Sequence, residues 1–445
     1  MPLSPRGAVA CLAVAAAITI AAAGGPSAAA GHPPHIDASA SVDFSKRVHV
    51  GNALGFMHGG VKRLPADVQA RVQARASELK PSIWRGVPQA WSIEPSIVKS
   101  VGADPVIQLG DIWGLPGHWP SVWPDQNLNA YSAWVTARAA SIKAWFPTGT
   151  VWVDVWNEPD SRSFWPVGRD PKLLGYFSAY RTAERALRET LGSRVRVIGP
   201  STAGSATLWT ERLVEYCAHA GCHIDGVAWH ANFQRASLMA GLGAAMRRVR
   251  ARVAANASWR RVVRQPLDFL ITEYVSSSKR ADPGAMLSYW GQIEKGGGGH
   301  AAFSVWKVDT PSDGLLDALL DAEGHPRDGW WAARAYALGR TSRVRTSSNS
   351  ALWPVLASSK GLAGRRELLV GSWANRAGRV AVCMKGLPSR RLTVRATTFR
   401  PSVEPWQGNG PKPRWIRTAT LRPVHGRSCI GVYVPAESVR AVSIG

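Results

Sequence analysis

The chain has 445 residues, 45% of them hydrophobic and 19% charged, and a formal net charge of +24. That length exceeds one ordinary domain and suits a barrel with a smaller partner. Beyond the first 30 residues no run reaches the roughly 18 consecutive apolar residues that a membrane span needs, which argues against a spanning protein.

The N-terminus, "MPLSPRGAVACLAVAAAITIAAAGGPSAAA", combines Arg6, an apolar stretch from Ala8 to Ala23 and small residues ending at Ala30. This is the pattern of a cleaved secretory signal peptide over residues 1–30, so the mature protein is expected to be secreted. Cys11 lies inside the apolar stretch, too early for a lipid anchor.

Residues 31–340 alternate short apolar runs with helical patterns. Eight runs stand out: "VHVGNALGF", "SIWRGVP", "DPVIQLGDI", "VWVDVWNEP", "VRVIGPS", "IDGVAWHA", "LDFLITEY" and "AAFSVWKV". Runs apolar on both faces are what a parallel sheet covered by helices demands. The intervening "PADVQARVQARASELK" places Pro65 in the first turn and Val68, Val72 and Leu79 on one face. "NAYSAWVTARAASIKAWF", "LLGYFSAYRTAERALRET" and "AGLGAAMRRVRARVAA" supply further helices. Eight β/α repeats predict an α/β fold, a closed (β/α)8 barrel whose active site lies at the C-terminal ends of the strands. A doubly wound open sheet would want a glycine-rich phosphate turn after its first strand, and "GNALGFMHGG" lacks that spacing.

From residue 341 to 445 the helices stop. "ELLVGSWANRAGRVAVCMKG", "RLTVRATTFRP" and "CIGVYVPAESVRAVSIG" predict a C-terminal β-sandwich domain. The segment "HIDASASVDFSK", before the barrel, is a candidate extra strand for it. These last 105 residues hold 18 Lys and Arg against Glu367, Glu404 and Glu437, so +15 of the net charge lies here and +9 in the rest. Such a field favours anionic polymers, and its bland counterpart is a solvated basic surface.

After the leader four cysteines remain, and an even count outside the cytoplasm favours Cys217–Cys222 and Cys383–Cys429 disulfides. The string "CAHAGCH" also suggests zinc through His219 or His223, but its spacing fits no standard site. No metal or cofactor is expected.

The fourth run ends in Glu158 and the seventh in Glu273. In a barrel both reach the same rim. Two carboxyl groups about 5 Å apart are the equipment of a retaining glycosidase, one as nucleophile and one as acid, then base. Asn157 is placed to donate to a sugar hydroxyl. A single Glu at a strand end ordinarily makes a salt bridge or a cap; two at matching ends favour catalysis.

"VWNEP" and "ITEY" at these places resemble the clan A glycoside hydrolases, and "IDGVAWHA", "FSVWKV" and the trailing sandwich resemble family 39, the group of β-xylosidases, α-iduronidases and bacterial exopolysaccharide hydrolases. The resemblance implies Glu158 as acid/base, Glu273 as nucleophile and Asn157 as the holder of the sugar 2-hydroxyl. It further implies Trp306 as an aromatic floor, His230 as the strand-six histidine and Arg85 as the basic residue near the nucleophile. One departure stands out: many clan members carry Tyr two places after that histidine, bonded to the nucleophile, where this chain has Asn232. Tyr274, next to Glu273, should point elsewhere.

Glu158 needs an apolar surround to stay protonated, for which Trp156 and Trp165 are candidates, and Glu273 needs a positive neighbour such as Arg85. Trp113, His118, Trp119 and Trp123 crowd the loop after the third strand, where flat rings suit sugar faces or simply pack the loop. The expected partner is a polysaccharide or oligosaccharide, and the basic C-terminal region raises the narrower hypothesis that this substrate, or the matrix holding it, is anionic. The competing reading is a non-catalytic carbohydrate-binding protein on a degenerate barrel. A nucleic-acid binder would rest on charge alone, without a motif.

Overall fold

The computed structural model describes residues 35–58, 64–86, 94–110, 123–205, 207–233, 235–275, 279, 282–304, 315–401 and 413–445. The leader at residues 1–30 lies outside them. Among the described residues no helix is long and apolar enough to cross a membrane.

The chain opens with β1 (Ala38–Arg47) and then builds the barrel. β2 (Gly55–Met57), α1 (Ala66–Leu79), β3 (Ile83–Gly86), α2 (Pro95–Ser100), β4 (Asp104–Gln108) and α3 (Leu128–Trp145) come first. They are followed by β5 (Val151–Asp154), α4 (Leu174–Leu191), β6 (Val195–Thr202), α5 (Thr207–Ala220), β7 (Ile224–Ala231), α6 (Ala236–Ala255) and α7 (Ala257–Val262). β8 (Val263–Tyr274), α8 (Pro283–Lys295), β9 (His300–Phe303) and α9 (Asp328–Arg340) complete it. Strands β2 to β9 form a closed barrel of parallel strands, one from each of the eight apolar runs.

The side chains follow from the pattern. In α1 the buried positions are Val68, Val72, Ala76 and Leu79, Ala76 filling the turn that the larger apolar residues skip. Each barrel strand sends one side chain into an apolar layer: Met57, Ile83, Val106, Trp152, Ile198, Ala228, Leu270 and Ala302. Two residues further along three of these strands stand Arg85, Asp154 and His230, so period-2 alternation puts a charged layer directly above an apolar one.

The remaining strands are β10 (Val344–Ser348), β11 (Val355–Ser358), β12 (Arg366–Gly371), β13 (Gly378–Lys385), β14 (Leu392–Phe399), β15 (Ile416–Leu421), β16 (Arg427–Val434) and β17 (Val439–Ile444). They make two sheets, ordered β10-β1-β13-β16 and β11-β12-β17-β14-β15, around a core that includes Val380, Val382, Leu368 and Val442. The N-terminal β1 is an inner strand of the first sheet, antiparallel to β10 and parallel to β13. The sandwich is therefore not built from C-terminal residues alone. The other face of the five-stranded sheet, through Leu356, Leu369, Phe399, Val439 and Ala441, joins the main core with the barrel helices. Cys217–Cys222 and Cys383–Cys429 are both disulfides.

Candidate active site

Glu158 follows β5 with a left-handed φ of 43°, and its amide N–H donates to the Ser201 carbonyl oxygen at 3.0 Å. Glu273 reaches the same rim from β8 by a different device. Strict alternation from Leu270 would aim Thr272 inward, but the pairing with β7 slips so that Trp229 faces Ile271 while His230 faces Glu273. The extra residue, Thr272, is absorbed as a bulge, and the carboxylate takes the inward position.

The two carboxylates meet at His230, which is fully buried. Its Nδ1 lies 2.7 Å from Glu158 Oε1 and 3.4 Å from Glu273 Oε2. The donor atoms of the three residues lie within 4.8 Å of one another. That spacing would also suit a metal, though Glu158 Oε1 already meets His230 Nδ1 and both oxygens of Glu273 face donors. Glu273 Oε1 accepts from Arg85 Nη1 at 2.7 Å and Oε2 from Asn232 Nδ2 at 2.9 Å. Both of its oxygens therefore face donors, one of them a guanidinium. Glu158 Oε2 has no hydrogen-bond partner among the described residues, and the Glu158 side chain is 15% exposed while Glu273 is buried at 1%.

Arg85 is the hub of the charged layer. Nη2 donates to Asn157 Oδ1 at 3.0 Å and to Asp154 Oδ2 at 3.1 Å. The first contact fixes the Asn157 amide with its oxygen toward Arg85, leaving the NH2 group as a free donor among the described residues. A buried cation between two buried carboxylates is balanced by hydrogen bonds as well as by charge.

Of the expected site residues, Glu158, Glu273, Asn157, His230 and Arg85 come together. Trp113 and Trp306 lie outside the described residues, as do His118 and Trp119. Trp156 and Trp165 were expected to screen Glu158. Their rings pack edge-on with centroids 5.4 Å apart and both contact Trp123, at 6.2 and 5.6 Å. The Trp156 ring also rests against Gly110, where a side chain would collide with it. These rings belong to the core outside the strands, and Trp123 packs against it. Tyr274 points away from the site and accepts from Trp290 Nε1 at 2.9 Å.

Asp154, Ser201 and Ser304 were not anticipated. Ser304 Oγ lies 3.0 Å from Asn232 Oδ1 and 3.1 Å from the Tyr274 carbonyl oxygen. It thereby orients the Asn232 amide so that NH2 faces Glu273. The position where many clan members carry tyrosine is thus filled by another donor to the same carboxylate.

Residues 142–284 match the profile of glycosyl hydrolases family 39. A β-xylosidase from Geobacillus stearothermophilus is 30% identical over 83 residues, spanning 19% of this chain and only 16% of that relative. In fold, the structure of N2152 from Neocallimastix frontalis superposes with a TM-score of 0.73 at 19% identity, covering 92% of this chain and 99% of its own. A GH39 enzyme from Xanthomonas axonopodis pv. citri gives 0.62 at 16% identity, covering 93% and 98%. A monomeric β-xylosidase from Caulobacter crescentus CB15 gives 0.61 at 16%, covering 91% and 99%. In sequence over residues 142–284 and in fold over nine-tenths of its length, the chain resembles the clan A glycoside hydrolases and, among them, family 39.

Proposed function

We propose that the protein is a secreted glycoside hydrolase that cleaves a polysaccharide or oligosaccharide with retention. The observation that carries this is the approach of the Glu158 and Glu273 carboxylate oxygens within 4.8 Å. Retaining enzymes hold their carboxyl groups about 5–5.5 Å apart, whereas inverting ones leave roughly 6.5–9.5 Å for a water.

The roles follow from the surroundings. Glu273, faced by Arg85 and Asn232, is the nucleophile that attacks the anomeric carbon. Glu158, with one oxygen held by His230 and the other unengaged, gives its proton to the departing glycosidic oxygen. The carbon–oxygen bond breaks and a glycosyl ester forms on Glu273. A water then attacks that carbon, Glu158 takes the water's proton, and Glu273 is released as carboxylate. Asn157 offers its NH2 to the sugar 2-hydroxyl, and Trp306 and Trp113 are proposed as sugar-stacking surfaces. The chemistry belongs to the barrel. Secretion is supported by the leader pattern and by two disulfides, which suit an oxidising compartment.

Release of new reducing ends from a panel of neutral and acidic polysaccharides, with Glu273→Gln beside the wild type, tests the mechanism. The variant should lose at least about 1,000-fold, because the covalent step has no nucleophile. Hydrolysis undiminished in Glu273→Gln would overturn it.

An anionic substrate or matrix is the narrower part of the proposal. Arg390, Arg391, Arg395, Arg417, Arg422 and Arg427 are all exposed on the sandwich. Retention on an acidic polysaccharide should vanish between low and moderate salt, and replacing these six by Gln should abolish it. Unchanged retention of that variant would remove the sandwich from the proposal.

A further inference from the structure

One buried residue touches the supports of both carboxylates. Ser201 lies near the end of β6, where the pairing with β7 slips between Pro200 and Thr202. Its hydroxyl donates to Asp154 Oδ1 at 2.6 Å. Asp154 Oδ2 accepts from Arg85 Nη2 at 3.1 Å, and Arg85 Nη1 donates to Glu273 Oε1 at 2.7 Å. On its other side, the Ser201 carbonyl oxygen accepts the Glu158 amide N–H at 3.0 Å. A continuous path of four hydrogen bonds therefore joins the backbone of one carboxylate to the head group of the other. Asp154 and Ser201 are fully buried and Arg85 is 1% exposed, so water does not compete for these bonds.

The conformation of Ser201 adds a second indication. Its φ is 51°, in the left-handed region where glycine sits without steric cost and serine does not. A position needed only for the turn would be best served by glycine. Serine keeps the hydroxyl despite the strain, and its partner in the path, Glu158, is left-handed as well. Strained residues are held where the surroundings over-determine them.

We propose that Ser201 is a positioning residue that sets the gap between Glu158 and Glu273, fixing one through its carbonyl and the other through Asp154 and Arg85. The proposal rests on the reading of these two residues as the catalytic pair. Ser201 touches neither substrate nor reacting atoms. It acts by holding a geometry in which a displacement of about 1 Å costs on the order of 100-fold in rate.

Ser201→Gly is the discriminating variant, because it keeps the carbonyl and the left-handed turn while removing the hydroxymethyl group that reaches Asp154. Ser201→Ala removes the hydroxyl and keeps the strain. Both should lower kcat by about 10–100-fold with KM within about two-fold, since the loss falls on the transition state. The thermal midpoint of Ser201→Gly should lie at or above that of Ser201→Ala, since both lose the bond to Asp154 and only glycine relieves the left-handed strain. Combining Ser201→Gly with Asp154→Asn should cost little more than the larger single effect, as members of one network do. A crystal structure of Ser201→Gly should show Arg85 displaced and the two carboxylates further apart. Unchanged kcat, or full additivity with Asp154→Asn, would overturn the proposal. If the wild type hydrolyses no member of the panel, the enzymatic reading has failed. The crystal structure then decides the coupling separately: unmoved Arg85 and Glu273 in Ser201→Gly reject it.

Discussion

At Asn232 a single amide carries a decision about charge. Its NH2 donates to Glu273 Oε2, and Ser304 holds its oxygen on the far side. Asn232→Asp replaces a donor by a second carboxylate in a buried place, and like charges so close cannot both remain ionised without cost. The variant should lose at least about 30-fold in kcat/KM near neutrality, the equivalent of about 2 kcal/mol. Activity should partly return on acidification, because the introduced carboxyl group donates again once it is protonated. A pH–rate profile with no difference between wild type and variant would show that Asn232 does not serve the nucleophile. That Glu158, Glu273 and Asn157 converge on one rim was legible in the sequence, because polar groups that close two apolar runs at matching places contribute little to a barrel core. Ser201 and Ser304 were not legible, because a serine's role depends on which groups the folded backbone brings to its hydroxyl, and alternation does not give those.

Among the elements, the barrel was the most legible, since each strand repeats an apolar run and each run returned as a strand. The tryptophans of "VWNEPDSRSFW" were harder: β5 ends at Asp154, so period-2 alternation no longer governs Trp156, and its ring turns outward. In the sandwich, β12 buries a carboxyl that reading by pattern passes over. Burial pushes Glu367 up to about 8, against the opposing pull of the Ala363 and Leu362 amides and of Arg343. The folded state therefore holds this proton to higher pH than the unfolded chain, where an ordinary Glu releases it near 4.3. Its contribution to stability is complete below the unfolded value and is lost as pH rises toward and through about 8. Urea unfolding should show the stability difference, wild type minus Glu367→Gln, falling from pH 5 and levelling off above about 8. A difference independent of pH would mean that Glu367 is ionised throughout.

For the whole molecule, the contact between barrel and sandwich is a shared core. Gly284, at the start of α8, donates its N–H to the Glu437 carbonyl oxygen at 3.1 Å, and a methyl group there would run into the Ser372 backbone. Gly284→Ala must push the sandwich away from α8, at a cost of about 1–3 kcal/mol. It should lower the urea midpoint without changing which substrates are cleaved, because the strain falls on the seam and not on Glu158, Glu273 or their hydrogen-bond partners. An unchanged midpoint would show that the seam gives way freely.

The place of β1 has a consequence for synthesis and for dissection of the chain. It emerges about 300 residues before β10 and β13, between which it is inserted. At about 5–20 residues per second, that is a wait of roughly 15–60 s with both edges unpaired. During it Ala38, Ala40, Val42 and Phe44 present an apolar face with no partner, the circumstance in which strands recruit other chains. The barrel has all its own strands in hand before then, so the sandwich closes last and ties β1 to the strands that follow the barrel. A fragment cut after Arg340 would keep that orphan strand for good; a barrel meant to stand alone has to begin beyond Arg47 as well.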